Sequence, residues 1–288
     1  MRVARVALPT TVDEAVVALR DAPGAQLLAG GTDFCVEVNF GLRRPPAVVA
    51  LRRVRELRRH AVMPETVVIG AGTTYADMGD PGLSSALPAL AAAARTVGSP
   101  QVRNAGTLGG NVATASPAGD TLPLLAALDA RVVLRGPSGE RTASLGEVVT
   151  GVKTTSIGPD EVVVEVVVDR RPGPQQFVKV GTRNAMVIAI ASAAVVVDLE
   201  ARRVRVALGS VAPVPLRARA AEDQISDAVD WRAPGGPRAS GAALAMFGEL
   251  AADAASPITD HRASAAYRRR AVQVISRRAL ERCVSRAA

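Results

Sequence analysis

The spacing of apolar residues divides the chain into short helices and strands. Val12, Ala15, Val16 and Leu19 recur at helical spacing. In front of them Thr11-Val-Asp-Glu14 is a capping box, and Pro23-Gly24 ends the predicted helix. Gln26–Ala29 reads as a short buried strand that runs directly into Gly30-Gly31-Thr32-Asp33. Val48–Leu51 and Thr66–Gly70 are further strands, separated by a charged helical turn or loop at Arg53–Arg59. The second of these strands ends in a small-residue turn, Ala71-Gly-Thr-Thr74. Leu87–Thr96 is an Ala- and Leu-rich helix with Pro88 in its first turn. Gly98–Asp120, dense in Gly, Ser, Thr, Asn and Pro, reads as a loop. Leu122–Leu128 resumes as a helix, and Arg131–Arg135 with Arg141–Ala143 flank Pro137-Ser-Gly139 as a β-hairpin. Val162–Val168 is a β-branched strand.

Arg170-Arg-Pro-Gly-Pro174 reads as a linker. Beyond it lie a strand at Gln176–Val180, a long apolar segment at Val187–Asp198 and a strand at Val204–Leu208. Helices follow at Arg217–Ala228 and Ala242–Ala252, with a Gly/Pro-rich loop at Pro234–Pro237 between them. A last helix carries Tyr267, Ala271, Val274, Ile275, Ala279 and Cys283 as its apolar stripe. Strands and helices mixed in two blocks give an α+β reading. The 288 residues fit two domains at about 150 residues each.

Composition narrows the classes. With 48% hydrophobic and 22% charged residues the chain can build a substantial core, which argues against disorder. The longest apolar stretch, about Met186–Val197, falls short of the ~20 residues of a membrane span. The N-terminus reaches Pro9 too early for a signal-peptide core, so a cytoplasmic location is expected. Cys35 and Cys283 are the only cysteines, so neither a disulfide framework nor a four-thiolate cluster can be built from this chain alone. His60 and His261 are the only histidines, which argues against a multi-histidine metal site. The net charge of +8 is concentrated: His261–Ala288 holds eight Arg and one Glu, a net +7. That segment reads as a helix with a solvated basic face, or as a face that docks a partner subunit. Aromatic residues are not interleaved with its arginines, which speaks against nucleic acid.

Two segments carry the candidate chemistry. The first is Leu27-Leu28-Ala29-Gly30-Gly31-Thr32-Asp33-Phe34. The second is Thr107-Leu-Gly109-Gly110-Asn111, continuing to Ala115-Ser-Pro-Ala-Gly-Asp120. Glycines let the backbone take positive φ and approach a ligand closely. Successive N–H groups then make a concave anion site, to which Thr hydroxyls and the Asn111 amide add donors. Two such loops could grip a diphosphate from opposite sides, with Asp120 accepting from ribose hydroxyls. A Gly-Gly pair also makes an ordinary turn. Neither segment matches Gly-x-Gly-x-x-Gly, and the chain has no Walker lysine motif and no Gly-x-Ser-x-Gly elbow. From the residues alone the reading is an anion or dinucleotide cradle.

Ala29-Gly-Gly-Thr-Asp33 together with Thr107-Leu-Gly-Gly-Asn-Val-Ala-Thr-Ala-Ser-Pro-Ala-Gly-Asp120 resembles the signature pair of the FAD-binding subunits of molybdenum hydroxylases. The resemblance covers nearly the whole chain. It includes Ser99–Asn104, Thr150–Lys153, Asp160–Val163, Gly173–Met186 and Ser264–Arg270. Val36–Phe40 and Gly173–Met186 are most similar to bacterial xanthine dehydrogenase FAD subunits. The resemblance implies a PCMH-type FAD-binding domain of two α/β subdomains over residues 1–171, divided near 57 and 58. A smaller C-terminal α+β domain, an antiparallel sheet with helices, would span 172–288. By position, Leu27–Phe34 and Thr107, Gly109, Gly110 and Asn111 would hold the diphosphate and Asp120 a ribose. Val163 would lie by the flavin, and Lys179 near the isoalloxazine, where a cation stabilises reduced flavin.

The function implied is electron transfer in purine catabolism. No side chain of this chain need act as a catalytic acid or base, and no metal is expected in it. The molybdopterin centre would sit in a large partner subunit and two [2Fe–2S] clusters in a small one. FAD here would pass electrons to NAD or another acceptor. A stand-alone flavin oxidoreductase of the same fold and a flavin-free scaffold subunit are the alternatives. Two cysteines exclude the family branch that carries an extra cluster in this subunit.

Overall fold

The computed structural model describes residues 5–286. Its N-terminal part holds a three-stranded parallel sheet in the order Val6–Ala7, Val48–Ala50, Gln26–Leu28. The helix Val12–Arg20 covers this sheet with Val12, Ala15, Val16 and Leu19 buried, as the periodicity predicts. Its cap differs from the expected box. Thr11 Oγ1 accepts from Glu14 N at 3.1 Å, but the Glu14 carboxylate turns to Thr10 and accepts from its N and Oγ1 at 2.7 and 2.9 Å. A complete capping box stands instead at Ser144 and Glu147.

Next comes a five-stranded antiparallel sheet, in the order His60–Val62, Thr66–Gly70, Val162–Asp169, Arg131–Gly136, Gly139–Ser144. The hairpin closes with Gly136 opposite Gly139. Five short helices lie between Thr66–Gly70 and Arg131–Gly136. Two of them, Pro100–Ala105 and Leu108–Thr114, occupy the stretch expected to be a loop. Each opens on a hydroxyl cap, Ser99 for Val102 N and Thr107 for Gly110 N. The small polar residues that suggest a loop are here helix caps and close-packed helix positions.

The C-terminal part is a four-stranded antiparallel meander, Gln175–Val180, Ala191–Asp198, Arg203–Gly209 and Leu216–Arg217. The helices Arg219–Ala228, Gly241–Ala254 and Ala265–Glu281 belong to the same part. The strand begins at Ala191, later than the apolar run beginning at Val187 suggests, and Met186 and Ile188 are exposed. Ala191–Asp198 is buried along its whole length. Because side chains alternate, it serves two cores. Ala191, Ala193, Val195 and Val197 join the core under the C-terminal helices. Ala194 and Val196, with Phe177 and Ala207, join the core of the N-terminal part. Among the described residues no helix is long and apolar enough to cross a membrane.

The last helix also differs from its predicted pattern. Ala271, Ile275, Ala279 and Cys283 are buried, but Tyr267 is 51% exposed. Arg268, counted with the basic face, is only 1% exposed. It donates to the Ile190 and Ser210 carbonyls at 2.6 and 3.1 Å and to Asp260 Oδ1 at 2.8 Å. Arg268 therefore ties the helix to the meander and is not part of a docking face.

Candidate functional site

A cavity of about 600 Å³ opens where the parallel sheet meets the antiparallel one. Leu27, Ala29, Gly30, Gly31, Thr32, Asp33 and Phe34 form one wall, and Thr107, Gly109, Gly110 and Asn111 another. Val163, on the central strand of the antiparallel sheet, lies between them. Leu28 points behind the first wall, with its Cδ1 3.2 Å from where a Cβ on Gly31 would lie.

The first wall is an open row of donors. Among the described residues no acceptor meets the backbone N–H groups of Gly30, Gly31, Thr32, Asp33 and Phe34. Gly31 has φ +73°, which turns the chain from the strand into the helix Phe34–Asn39. Gly30 serves close approach: a Cβ there would lie 1.9 Å from Ala105 O. Backbone cannot yield as a flexible side chain can. Gly30→Ala is accordingly expected to cost about 1–3 kcal/mol or more, read as a lowered urea midpoint.

The second wall is built differently from the expected second glycine loop. Thr107–Asn111 is the cap and first turn of a helix, and the backbone N–H groups of Leu108 to Asn111 are engaged. Leu108 N donates to Thr73 O at 2.9 Å, Gly109 N to Ala71 O at 2.8 Å and Gly110 N to Thr107 Oγ1 at 3.1 Å. Asn111 Oδ1 accepts the Thr121 hydroxyl at 2.5 Å. The glycines are needed here for space. A Cβ on Gly109 would lie 2.5 Å from Ala71 Cβ. On Gly110 it would meet Thr107 Oγ1 at 2.9 Å and, outside its own helix backbone and chain neighbours, no other atom within 4 Å. Gly110 thus presents a smooth backbone surface to the cavity, opposite the open donors.

Asp120 and Lys179 lie outside the cavity lining, at the seam between the N-terminal part and the meander. Lys179 Nζ donates to Asp120 Oδ2 at 2.5 Å and to Thr96 O at 3.0 Å, and both side chains are buried. Burial raises the Asp120 carboxyl above the usual range, against the opposing pull of Lys179. Asp120 Oδ1 is buried with no partner among the described residues.

Sequence reasoning missed several cavity residues. Tyr75 and Asp77 follow the small-residue turn whose Thr74 also lines the wall, Arg58 comes from the charged turn and Arg52 immediately precedes it. Glu37 accepts from Lys153 Nζ at 2.8 Å and pairs with Arg43 at 2.7 Å. The Lys153 hydrogen bond leads in holding the Glu37 carboxyl below its ordinary range. The signal available was position, since Tyr75 and Asp77 follow the end of a strand and Glu37 stands on the helix that follows the first glycine segment.

The fold and this cavity define a two-part protein with a cavity between two glycine-bearing walls. Residues 2–170 match the family described as the FAD binding domain in molybdopterin dehydrogenase. Residues 176–283 match the CO dehydrogenase flavoprotein C-terminal domain. The chain therefore belongs to the family of FAD-binding subunits of molybdenum hydroxylases, whose cofactor is FAD. It is 34% identical over 201 residues to the nicotinate dehydrogenase FAD-subunit of Eubacterium barkeri, covering 67% of this chain and 68% of that one. It is 30% identical over 227 residues to the xanthine dehydrogenase FAD-binding subunit of Escherichia coli O157:H7, covering 76% and 77%. The solved carbon monoxide dehydrogenase of Hydrogenophaga pseudoflava, in a form that lacks the Mo-pyranopterin moiety, superposes with a TM-score of 0.85. It is 31% identical and covers 97% of this chain and 98% of that one.

Proposed function

We propose that this chain is the FAD-binding electron-transfer subunit of a xanthine dehydrogenase-like, molybdopterin-dependent hydroxylase. It takes electrons from the [2Fe–2S] clusters of a small partner subunit and delivers them to NAD or another acceptor, while a large partner subunit holds molybdopterin. The observation that carries the reading is a row of five N–H groups, Gly30 to Phe34, that meet no acceptor among the described residues and line one cavity with Gly109 and Gly110. Such a row fits a diphosphate, because each N–H supplies partial positive charge without a titrating group. Leu27–Phe34, Thr107, Gly109, Gly110 and Asn111 would hold the cofactor, with Val163 in the wall. Asp120, to which the resemblance gives a ribose, stands at the seam outside the cavity lining, where its observed partner is Lys179.

When bound, FAD supplies the exchange between two-electron and one-electron chemistry; the protein supplies grip and electrostatics. Lys179, pinned by Asp120 and Thr96 O, keeps a cation buried at the seam between the two parts. The resemblance of Gly173–Met186 and Val36–Phe40 to xanthine dehydrogenase subunits favours a purine at the partner's molybdenum site. The purified chain is expected to carry one FAD, read from its visible spectrum. The reconstituted complex is expected to reduce NAD with xanthine in preference to nicotinate or carbon monoxide. A folded chain that takes up no FAD refutes the cofactor assignment, and preference for another substrate refutes the purine.

A further inference from the structure

We infer that the Tyr75 hydroxyl donates a hydrogen bond to the diphosphate of the bound cofactor, a role that rests on the assignment of the cavity to FAD. Tyr75 stands where the two glycine segments meet. Its N–H donates to Gly106 O at 3.0 Å. Its ring covers Gly106 so closely that a Cβ there would lie 2.7 Å from ring Cε2. Gly106 in turn abuts Gly30, whose Cβ position is 2.9 Å from Gly106 Cα. The ring is thus fixed against the start of the donor row.

Tyr75 is 8% exposed and lines the cavity. Among the described residues no hydrogen bond engages its phenol, and the charges that act on it are those of Asp120 and Asp33. Burial, followed by these two carboxylates, holds the phenol well above its ordinary range, so it remains a protonated donor at every working pH. The phenol oxygen is not among the fully buried side-chain atoms without a partner, so it opens on the cavity that Tyr75 lines. A tyrosine O–H in such a place ordinarily finds an acceptor, and a ligand filling the cavity would supply one in place of water. Beside Gly30 and Asp33 the acceptor-rich part of the cofactor is the diphosphate. There the phenol would add a side-chain donor to the row of backbone ones, against the repulsion of the two nearby carboxylates.

The test uses the full chain stripped of flavin, wild type and Tyr75→Phe, with FAD, ADP and riboflavin as probes in calorimetric titrations. Tyr75→Phe keeps the ring on Gly106 and is expected to leave the unliganded melting temperature unchanged. FAD and ADP affinities should each fall about ten- to a hundredfold, the scale of a hydrogen bond to a charged group. Riboflavin, which has no diphosphate, should show no change. FAD affinity within twofold of wild type overturns the inference while leaving the cavity assignment standing. An equal loss for riboflavin moves the hydroxyl to the flavin half and also overturns it. A wild-type chain that binds none of the probes overturns both the inference and the cavity assignment.

Discussion

Gly110→Glu is expected to abolish FAD uptake while the chain stays folded. The position sits in the first turn of Leu108–Thr114, where a Cβ meets only the capping Thr107 hydroxyl within 4 Å. A longer side chain would therefore extend into the cavity, which is about 600 Å³ and lined by both glycine walls. Its carboxylate would face the proposed diphosphate. At about 4 Å and an effective dielectric constant of about 20, two like charges cost about 4 kcal/mol, roughly a thousandfold in affinity. Loss of volume for the cofactor adds to this. Gly110→Ala is the control: small and neutral, it is expected to lose less than tenfold. Flavin content after purification and a thermal melt separate binding from folding. Stoichiometric FAD in Gly110→Glu would displace the cofactor from this wall.

Arg268→Met is expected to be the most damaging change in the C-terminal part. It would leave the Ile190 and Ser210 carbonyls and Asp260 without their shared donor in a place that is 1% exposed. Asp260 keeps Arg262, but each carbonyl left without a donor costs about 1–3 kcal/mol, which together corresponds to a fall of roughly 10 °C in melting temperature for a chain of this size. Arg270→Glu, two positions on and exposed, should change stability by no more than about 0.5 kcal/mol. A melt of Arg268→Met equal to wild type would refute the tie.

The same cluster sets an acid response. The Arg262 side chain foremost, with Arg268 behind it, holds the Asp260 carboxyl well below the usual carboxylate range. A depressed folded-state value means stability that is fully present above the unfolded value near pH 4 and is lost as pH falls below it. Asp260→Asn should flatten that part of the acid denaturation curve, followed by circular dichroism.

Much of the architecture is legible in local pattern. Val162–Val168 and the hairpin around Pro137-Ser-Gly139 follow from β-branched runs and turn residues. The first helix follows from four apolar positions at helical spacing. The glycine segments are legible as motifs, and their resemblance to the flavin subunits carries the family. Their roles are less so. Paired glycines look alike in both segments, yet Gly31 is there for its positive φ, whereas Gly30 and Gly109 are there for close backbone approach. Arg268 reads as one arginine among eight in a basic segment, and nothing local distinguishes it from Arg270.

What the sequence by itself determined is therefore the order of elements, the two glycine segments and the family they resemble. The tertiary structure decided which of their donors are free. The N–H groups of Leu108 and Gly109 are taken by Thr73 O and Ala71 O, carbonyls more than thirty residues earlier, while those from Gly30 to Phe34 meet none among the described residues. It also decided that Asp120 and Lys179 pair across a seam, and that Tyr75 stands where Gly30 and Gly106 touch. Each of these depends on an acceptor, a charge or a missing Cβ brought from elsewhere in the chain. Hydrogen bonding and close packing act over a few ångströms of space, and separation along the sequence does not enter them.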